Sequence, residues 1–207
     1  MKWWTIKIML IPLFISTSIQ AQDGYERKIE KYQNAWLKLI PRYSKLQFAG
    51  GIGMFSGGMG WDYGKHKCWE TDLLLGYIPS FSHEGDNKLS FTVKQNYLPW
   101  NIGLGKGWSL QPLTCGAYIN TVFDDDFWAK EPKRYPSSYY KFSTKVRSHV
   151  FLGQRITLSD KENSNRSMSF YYEFSTCDLY IVSAFSNRYI RPKDILSLSF
   201  GVKVQFL

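Results

Sequence analysis

Apolar and polar side chains alternate with a period of two along most of the chain after Lys45, which is typical of β-strands with one apolar face. The longest unbroken run is the last one, in which every second residue from Leu196 to Phe206 is Leu, Phe or Val. This pattern predicts an all-β antiparallel fold. The predicted strands are Lys45 to Phe55 with a continuation to Tyr63, Cys68 to Ile78, Lys88 to Tyr97, Leu113 to Phe123, Lys141 to Leu158, Arg166 to Thr176 and Ile195 to Phe206.

Two stretches leave the number of strands open between seven and nine. Gly57-Gly58 is interpreted as a bulge or a turn, and Asp178 to Phe185 as a separate strand or the continuation of its predecessor. Single-chain bacterial membrane barrels have even strand numbers, so we expect about eight strands in residues 44–207. The expected connections are Ser80 to Asn87, Pro99 to Gly107, Asp124 to Ser138 and Ser159 to Asn165.

A period of three to four residues replaces this alternation in residues 22–43. Its apolar positions include Tyr32 and Trp36, basic residues lie between them, and the pattern ends at Pro41. This predicts an amphipathic helix. The helix is expected to lie against the inner, periplasmic leaflet, with packing on a soluble domain as the alternative.

Residues 1–21 have the features of a cleaved secretory signal. Lys2 and Lys7 supply positive charge, the stretch from Ile8 to Ile15 is mostly apolar, and Ala21 is a small residue at the expected cut. The alternative is an anchor helix, but the apolar stretch is shorter than the roughly 20 residues that a membrane span needs. We therefore expect an exported protein, for which nucleic acid is not a plausible partner.

No later window is long and apolar enough for a membrane helix, so insertion into a bilayer would have to use strands. An aromatic content of 17% suits the aromatic girdles of outer-membrane barrels. Loss of Lys2 and Lys7 with the signal lowers the formal charge from +9 to +7, which favours anionic headgroups and lipopolysaccharide phosphates as partners. The sequence predicts a location in the Gram-negative outer membrane.

The final strand separates this reading from that of a soluble sandwich, whose strands could show the same alternation. It runs to the end of the chain with Phe206 one residue before Leu207. In this it resembles outer-membrane barrels, although their terminal aromatic residue is here displaced by one position. The resemblance implies recognition by the barrel-assembly machinery.

Charged residues share the polar face of several predicted strands. In a barrel of about eight strands this face points into a lumen just wide enough to be filled by side chains, so we expect these charges to pair with one another. The alternative is a narrow polar path or a small ligand cavity. The predicted interior residues are Glu70, Asp72, Lys94, Lys145, Arg147, His149, Arg155, Glu173 and Lys203.

The longest predicted loop combines basic and aromatic residues. Trp128, Lys133, Arg134 and Tyr135 form a candidate site for phosphorylated lipid headgroups, with an ordinary aromatic girdle as the alternative. The three adjacent carboxylates from Asp124 to Asp126 lack the spacing of a calcium loop. The sequence predicts no metal site and no cofactor, and Cys68, Cys115 and Cys177 are expected to act as small apolar residues.

Phe185-Ser186-Asn187, followed by the last strand, resembles the His-x-Ser-Asn region of the lipid A 3-O-deacylases of the outer membrane. The likeness implies a barrel with a serine nucleophile at Ser186. Ala184 stands where that family has its catalytic histidine, which leaves the serine without an adjacent base. His149 is the candidate replacement. A helix before a barrel also resembles the architecture of the lipid A palmitoyltransferases.

Three functions from different classes follow from these patterns. The first is a monomeric outer-membrane barrel with a structural, adhesive or binding role exerted through its loops. The second is a lipid A-modifying enzyme that acts through Ser186, which would need a histidine within hydrogen-bond reach. The third is a narrow pore past Lys145, Arg147 and Glu173.

Overall fold

The computed structural model describes residues 27–80, 87–123, 146–160, 166–186 and 195–206, and the side chains of residues 183–186 are not among the features described. The described part contains nine β-strands, the helices α1 and α2, and a 3-10 turn at Lys65–Lys67. The helices are α1, residues 27–39, and α2, Asp178–Ser186. The strands are β1 (Tyr43–Ala49), β2 (Phe55–Tyr63), β3 (Trp69–Ile78), β4 (Lys88–Tyr97), β5 (Ile102–Gly105), β6 (Trp108–Phe123), β7 (Val146–Ser159), β8 (Ser167–Cys177) and β9 (Ser197–Gln205).

Eight of the described strands close into an antiparallel barrel. Each pairs with its neighbour in the chain, β4 pairs directly with β6, and β1 pairs with β9 to complete the circle. Strand β5 lies outside this circle, because it pairs only with the first residues of β6 to form a short hairpin. The expected eight-stranded barrel is therefore confirmed.

Strand direction gives the barrel two distinct ends. We call the end where β1 begins and β9 ends the proximal rim, and the opposite end the distal rim. The amide of Phe206 donates to the carbonyl of Arg42 at the proximal rim, at 3.1 Å. The described part of the distal rim includes the β1–β2 connection, residues 50–54, and helix α2 after β8.

The alternation seen in the sequence follows the two faces of the sheet. In β7 the side chains of Phe151 and Arg155 are buried, while those of Val150, Leu152 and Ile156 are exposed on the outside. Gln95 interrupts the outer face of β4, and its side-chain oxygen accepts hydrogen bonds from Tyr63 at 3.0 Å and Thr71 at 2.7 Å. These hydrogen bonds satisfy the side-chain oxygen of Gln95 on a face of the sheet that is otherwise mostly apolar.

Three local predictions are wrong. Gly57 and Gly58 lie within β2 and form neither a bulge nor a turn, and the chain reversal comes earlier, where Ala49, Gly50 and Gly53 have positive φ. A Cβ at Gly58 would overlap the backbone of Leu73 on β3, so glycine is selected there by close strand contact.

The second error concerns Asp178 to Phe185, which belongs to a helix and not to a strand. At the start of that helix the amide of Leu179 donates a hydrogen bond to the carboxylate of Asp178, at 2.7 Å. The third error concerns Tyr43, which was placed at the end of the predicted N-terminal helix. In the structure Tyr43 is the first residue of β1. Helix α1 covers residues 27–39 and its described side chains are exposed. In the described part, no helix has both the length and the apolar character to cross a membrane.

Candidate functional site

The centre of the barrel interior is a cluster of ion pairs built around Glu70. Arg155 on β7 donates from both terminal nitrogens to the two carboxylate oxygens, at 2.7 and 2.9 Å. Lys203 on β9 lies 2.6 Å from Oε1, and Lys45 on β1 lies 3.3 Å from Oε2. All four side chains are buried, so one carboxylate joins four strands across the lumen.

Asp72, one inward position further along β3, extends this cluster. Its carboxylate lies 2.7 Å from Lys45 Nζ and accepts hydrogen bonds from Tyr43 and from Asn96, the latter at 2.8 Å. The ring of Tyr43 also lies 3.9 Å from Lys203 Nζ. A Cβ at Gly60 would overlap that ring, so the glycine makes room for a tyrosine inside the barrel.

A second buried pair joins Lys94 on β4 to Glu173 on β8. The ammonium of Lys94 lies 4.1 Å from the centre of the Phe151 ring, a cation–π contact. Buried charges are tolerated when they are paired and hydrogen-bonded, and both conditions hold here. The two clusters together fill the middle of the described interior with charged side chains of both signs.

A small apolar cluster lies in the interior near the distal rim. The β1–β2 loop folds into the lumen and places Ile52 against Leu74, Tyr118 and Phe151. Two hydrogen bonds hold its backbone. The Ser90 hydroxyl donates to the carbonyl of Ile52, and the Asn120 side-chain amide donates to the carbonyl of Gly51 at 2.8 Å. This small hydrophobic cluster lies between the ion pairs and the distal rim.

His149 and Arg147 lie in the same distal region, half-buried. The imidazole of His149 stacks on the ring of Tyr118 with centroids 4.5 Å apart, and a Cβ at Gly51 would contact it. Arg147 lies 3.6 Å from Asp178 at the start of α2. His149 is therefore packed in the lumen, away from the outer surface on which a lipid-facing catalytic site would lie.

At the proximal rim the buried carboxylate of Asp62 has its own set of partners. Arg42 Nη1 lies 3.0 Å away, Lys67 Nζ lies 3.4 Å away, and Gln205 donates a hydrogen bond at 2.9 Å. The interior of the barrel is thus polar from this rim to its middle.

The outer surface has the opposite character. Its middle is covered by exposed apolar side chains, and aromatic pairs such as Trp69–Tyr97 and Phe48–Phe55 lie towards the two rims, with centroids 4.6 and 5.1 Å apart. Exposed apolar side chains on this surface include Leu46, Met59, Leu75, Val93, Ile119, Val150, Leu152, Phe170, Phe200 and Val204.

The structure brings most of the predicted interior residues together. Buried members of the clusters described above are Glu70, Asp72, Lys94, Arg155, Glu173 and Lys203. Arg147 and His149 stand apart at the distal end, and Lys145 lies outside the described residues. The candidate headgroup residues Trp128, Lys133, Arg134 and Tyr135 also lie outside them. Ser186 ends helix α2.

Sequence reasoning missed two central members of the network, Lys45 and Tyr43. Both alternate with Leu46 and Phe48, so the two-residue period that located the other strands could have placed them on the inner face. Tyr43 was assigned to the preceding helix, because it continues the three-to-four-residue spacing of the apolar positions before Pro41. Asn96, within the predicted strand Lys88 to Tyr97, was also not recognised as a partner of Asp72.

The three cysteines, Cys68, Cys115 and Cys177, are free thiols. Comparison with known proteins adds no assignment to this geometry: the chain matches no protein-family model and no curated protein.

Proposed function

We propose that the protein is an integral outer-membrane barrel with a closed interior, and that it has a structural or binding role exerted through its distal loops. The single observation that carries this proposal is the distribution of polarity. Charged side chains such as Lys45, Lys94 and Glu70 are buried inside the barrel, while large apolar side chains are exposed all around it.

This distribution suits a bilayer better than water. Soluble monomers rarely expose a contiguous apolar patch of more than a few hundred Å², whereas a membrane barrel presents an apolar band to lipid. A closed sheet also pairs its backbone groups internally, which the hydrocarbon core requires. The β1–β9 and β4–β6 pairings provide that closure.

Strand length supports the same conclusion. Strands β3 and β4 have 10 residues each, which corresponds to about 33 Å of extended chain. At the tilt of about 40° usual for such barrels they would span about 25 Å, the height of the apolar band of outer-membrane proteins. Aromatic residues near both rims, such as Trp69 and Phe48, suit the two interfaces.

Loop length supports an orientation. Outer-membrane barrels have short periplasmic turns and long extracellular loops. The two longest stretches of chain between consecutive described strands, residues 124–145 and 178–196, both follow strands that end at the distal rim, so this rim would face outward. The basic and aromatic residues from Trp128 to Tyr140 belong to the first of these connections, and they supply the cations and rings that lipopolysaccharide phosphates would contact.

The filled interior favours a scaffold over a pore. Glu70 and Asp72 bind cations from opposite strands, and Ile52 adds an apolar cluster towards the distal rim. A conducting path would have to separate these pairs. The proposal therefore predicts no steady conductance in planar bilayers.

Membrane insertion can be tested with depth-dependent fluorescence quenching. A variant that keeps Trp69 and Trp108 as its only tryptophans is refolded into phosphatidylcholine vesicles. Brominated acyl chains should quench its fluorescence strongly, and aqueous iodide should quench it weakly. A matched variant that keeps only Trp36, on the exposed face of α1, reports quenching outside the strands. Protein that stays unbound to vesicles, or is quenched by iodide alone, would contradict insertion.

The binding role has a separate test. Replacing Lys130, Lys133 and Arg134 with Gln should weaken binding of lipopolysaccharide by at least about tenfold, since each cation near an anionic surface contributes about 1 kcal/mol. Replacing Lys65, Lys106 and Arg166, which lie at the proximal rim, with Gln is the matched control because it also removes three cations. Equal losses in both variants would mean that the distal loop is not the contact.

A further inference from the structure

The outer surface of the barrel has a groove at the proximal rim, with a volume of about 830 Å³. Its wall away from the rim is apolar. Leu158 on β7, Met168 on β8 and Val204 on β9 lie side by side, since Leu158 pairs with Met168 and Met168 pairs with Val204. We call these three residues the apolar row. Their side chains are between 39% and 44% exposed, so the row is open to the surroundings of the barrel.

Two basic residues, which we call the rim cations, lie where this groove meets the rim. Lys106 is in the turn between β5 and β6, and Arg166 directly precedes β8. Both residues are exposed, and neither side chain forms an ion pair within the described part of the chain. Asp160 also lines the groove, so two positive charges face one negative charge there. The groove therefore has an apolar end and a cationic end.

Backbone hydrogen bonds hold the segments that carry the rim cations beside each other. The amide of Ser159 donates to the carbonyl of Gly107 at 2.8 Å, which joins the β5–β6 turn to the end of β7. The amide of Asp160 donates to the carbonyl of Arg166 at 3.0 Å, which joins the end of β7 to the residue before β8. The positions of Lys106 and Arg166 along the chain are therefore fixed relative to the strands that carry the apolar row.

We propose that this groove binds an anionic glycerophospholipid of the periplasmic leaflet, with its phosphate at the rim cations and an acyl chain along the apolar row. The proposal rests on the membrane insertion and the orientation proposed above, which put the proximal rim in that leaflet. Guanidinium and ammonium groups pair strongly with phosphate, and basic pockets at this level of a membrane protein favour anionic headgroups. Lipopolysaccharide belongs to the opposite leaflet, so the groove is separate from the distal loops.

The charge at the rim selects between phospholipids. Phosphatidylglycerol has one net negative charge, which balances the excess of one positive charge left by Lys106, Arg166 and Asp160. Phosphatidylcholine has no net charge, because its headgroup brings a second cation next to the rim cations. Each basic group beside an anionic headgroup raises the affinity about fivefold, so the groove should prefer phosphatidylglycerol at least fivefold.

Trp108 can report which lipid occupies the groove, because it pairs with Leu158 and is 40% exposed. A full chain that keeps Trp108 as its only tryptophan is refolded into phosphatidylcholine vesicles. A small fraction of the lipid is replaced with phosphatidylglycerol or, in a parallel sample, phosphatidylcholine that has brominated acyl chains. Brominated phosphatidylglycerol should quench Trp108 with at least fivefold higher apparent affinity. A chain that keeps only Trp69, also 40% exposed but on β3, is the matched control and should respond to both lipids alike.

In the Trp108 chain, Arg166→Gln should lower this preference about fivefold. Lys65→Gln removes a cation of the same rim that does not line the groove, and it should leave the preference unchanged. Each variant is first checked for the heat-dependent gel mobility of a folded barrel. Three results would overturn the lipid site while insertion stands: equal quenching of Trp108 by both brominated lipids, the same preference at Trp69, or equal effects of Arg166→Gln and Lys65→Gln. Quenching by neither lipid would contradict insertion, and the site with it.

Discussion

Arg155 and Glu70, separated by 85 positions in the chain, form a two-point ion pair inside the barrel, with N–O distances of 2.7 and 2.9 Å. The pair ties β7 to β3, which are not neighbours in the sheet. Lys45 and Lys203 bind the same carboxylate from the strands that close the barrel. Glu70 is therefore the residue on which the interior network depends most.

Removing this carboxylate should destabilise the barrel strongly. Glu70→Gln leaves Arg155 and Lys203 buried with less negative charge nearby, and breaking a buried pair on one side typically costs about 3–5 kcal/mol. The measurement is equilibrium unfolding by urea in lipid vesicles. Glu30→Gln, the same change on exposed α1, is the control and should have no measurable effect. A loss below about 1 kcal/mol at Glu70 would contradict the central role of its carboxylate.

The two buried lysines Lys94 and Lys203 should respond differently to the same substitution. Lys94 is the only ion-pair partner that Glu173 has among the described residues, so Lys94→Met should cost about 3–5 kcal/mol. Lys203→Met leaves Glu70 paired with Arg155 and Lys45, so it should cost less than half as much. Equal losses in unfolding experiments would mean that the remaining partners of Glu70 do not compensate for the loss of Lys203.

The inward-folded loop at the distal rim gives a test of packing. Gly51→Ala would place a Cβ 2.6 Å from His149 Cε1 and 2.8 Å from the Tyr118 hydroxyl, and overpacking of this kind costs about 1–3 kcal/mol. Gly103→Ala on β5 meets nothing within 4 Å and should change stability by no more than about 0.5 kcal/mol. If both variants unfold at the same urea concentration, the loop does not occupy the lumen.

A charge on the outer surface distinguishes lipid from water as its surroundings. Leu75 is 64% exposed, so Leu75→Arg should be nearly neutral in water, but in a bilayer it should cost about 2–4 kcal/mol near the midplane. Leu37→Arg, at a similarly exposed position of α1, is the control. Unfolding in vesicles should show the loss for position 75 alone, and a neutral result there would place this surface in water.

Much of the barrel could be predicted from the sequence because the strand period is local. Strand β4 was predicted with its observed bounds, Lys88–Tyr97, and β9 within two residues at its start. The turn between β1 and β2 was misplaced, because Gly57-Gly58 looked like a turn while the glycines that form it, Gly50 and Gly53, come a few residues earlier. Gly58 is a glycine because its backbone lies close to Leu73 on β3. Contacts between strands are not visible in a local pattern.

The candidate site was predictable to a similar degree. The polar face of each strand identified Glu70, Asp72 and Arg155 as interior residues, but not their partners, because partners depend on which strands face each other across the lumen. The sharing of the Glu70 carboxylate by Lys45, Arg155 and Lys203 needed the three-dimensional arrangement. Helix α2 was missed because Asp178 to Phe185 is apolar almost throughout, so its periodicity cannot distinguish helix from strand.

The pairing of β1 with β9 also sets an order of events in biogenesis. Every other pair in the barrel joins strands that follow each other in the chain, apart from the short hairpin strand β5, so those pairs can form while later strands are still arriving. In the β1–β9 pair Tyr43 lies opposite Gln205, and this pair cannot form before the last strand has been synthesised. Until then two unpaired strand edges are exposed, and each carries backbone groups that a strand of another chain can pair with in place of β9.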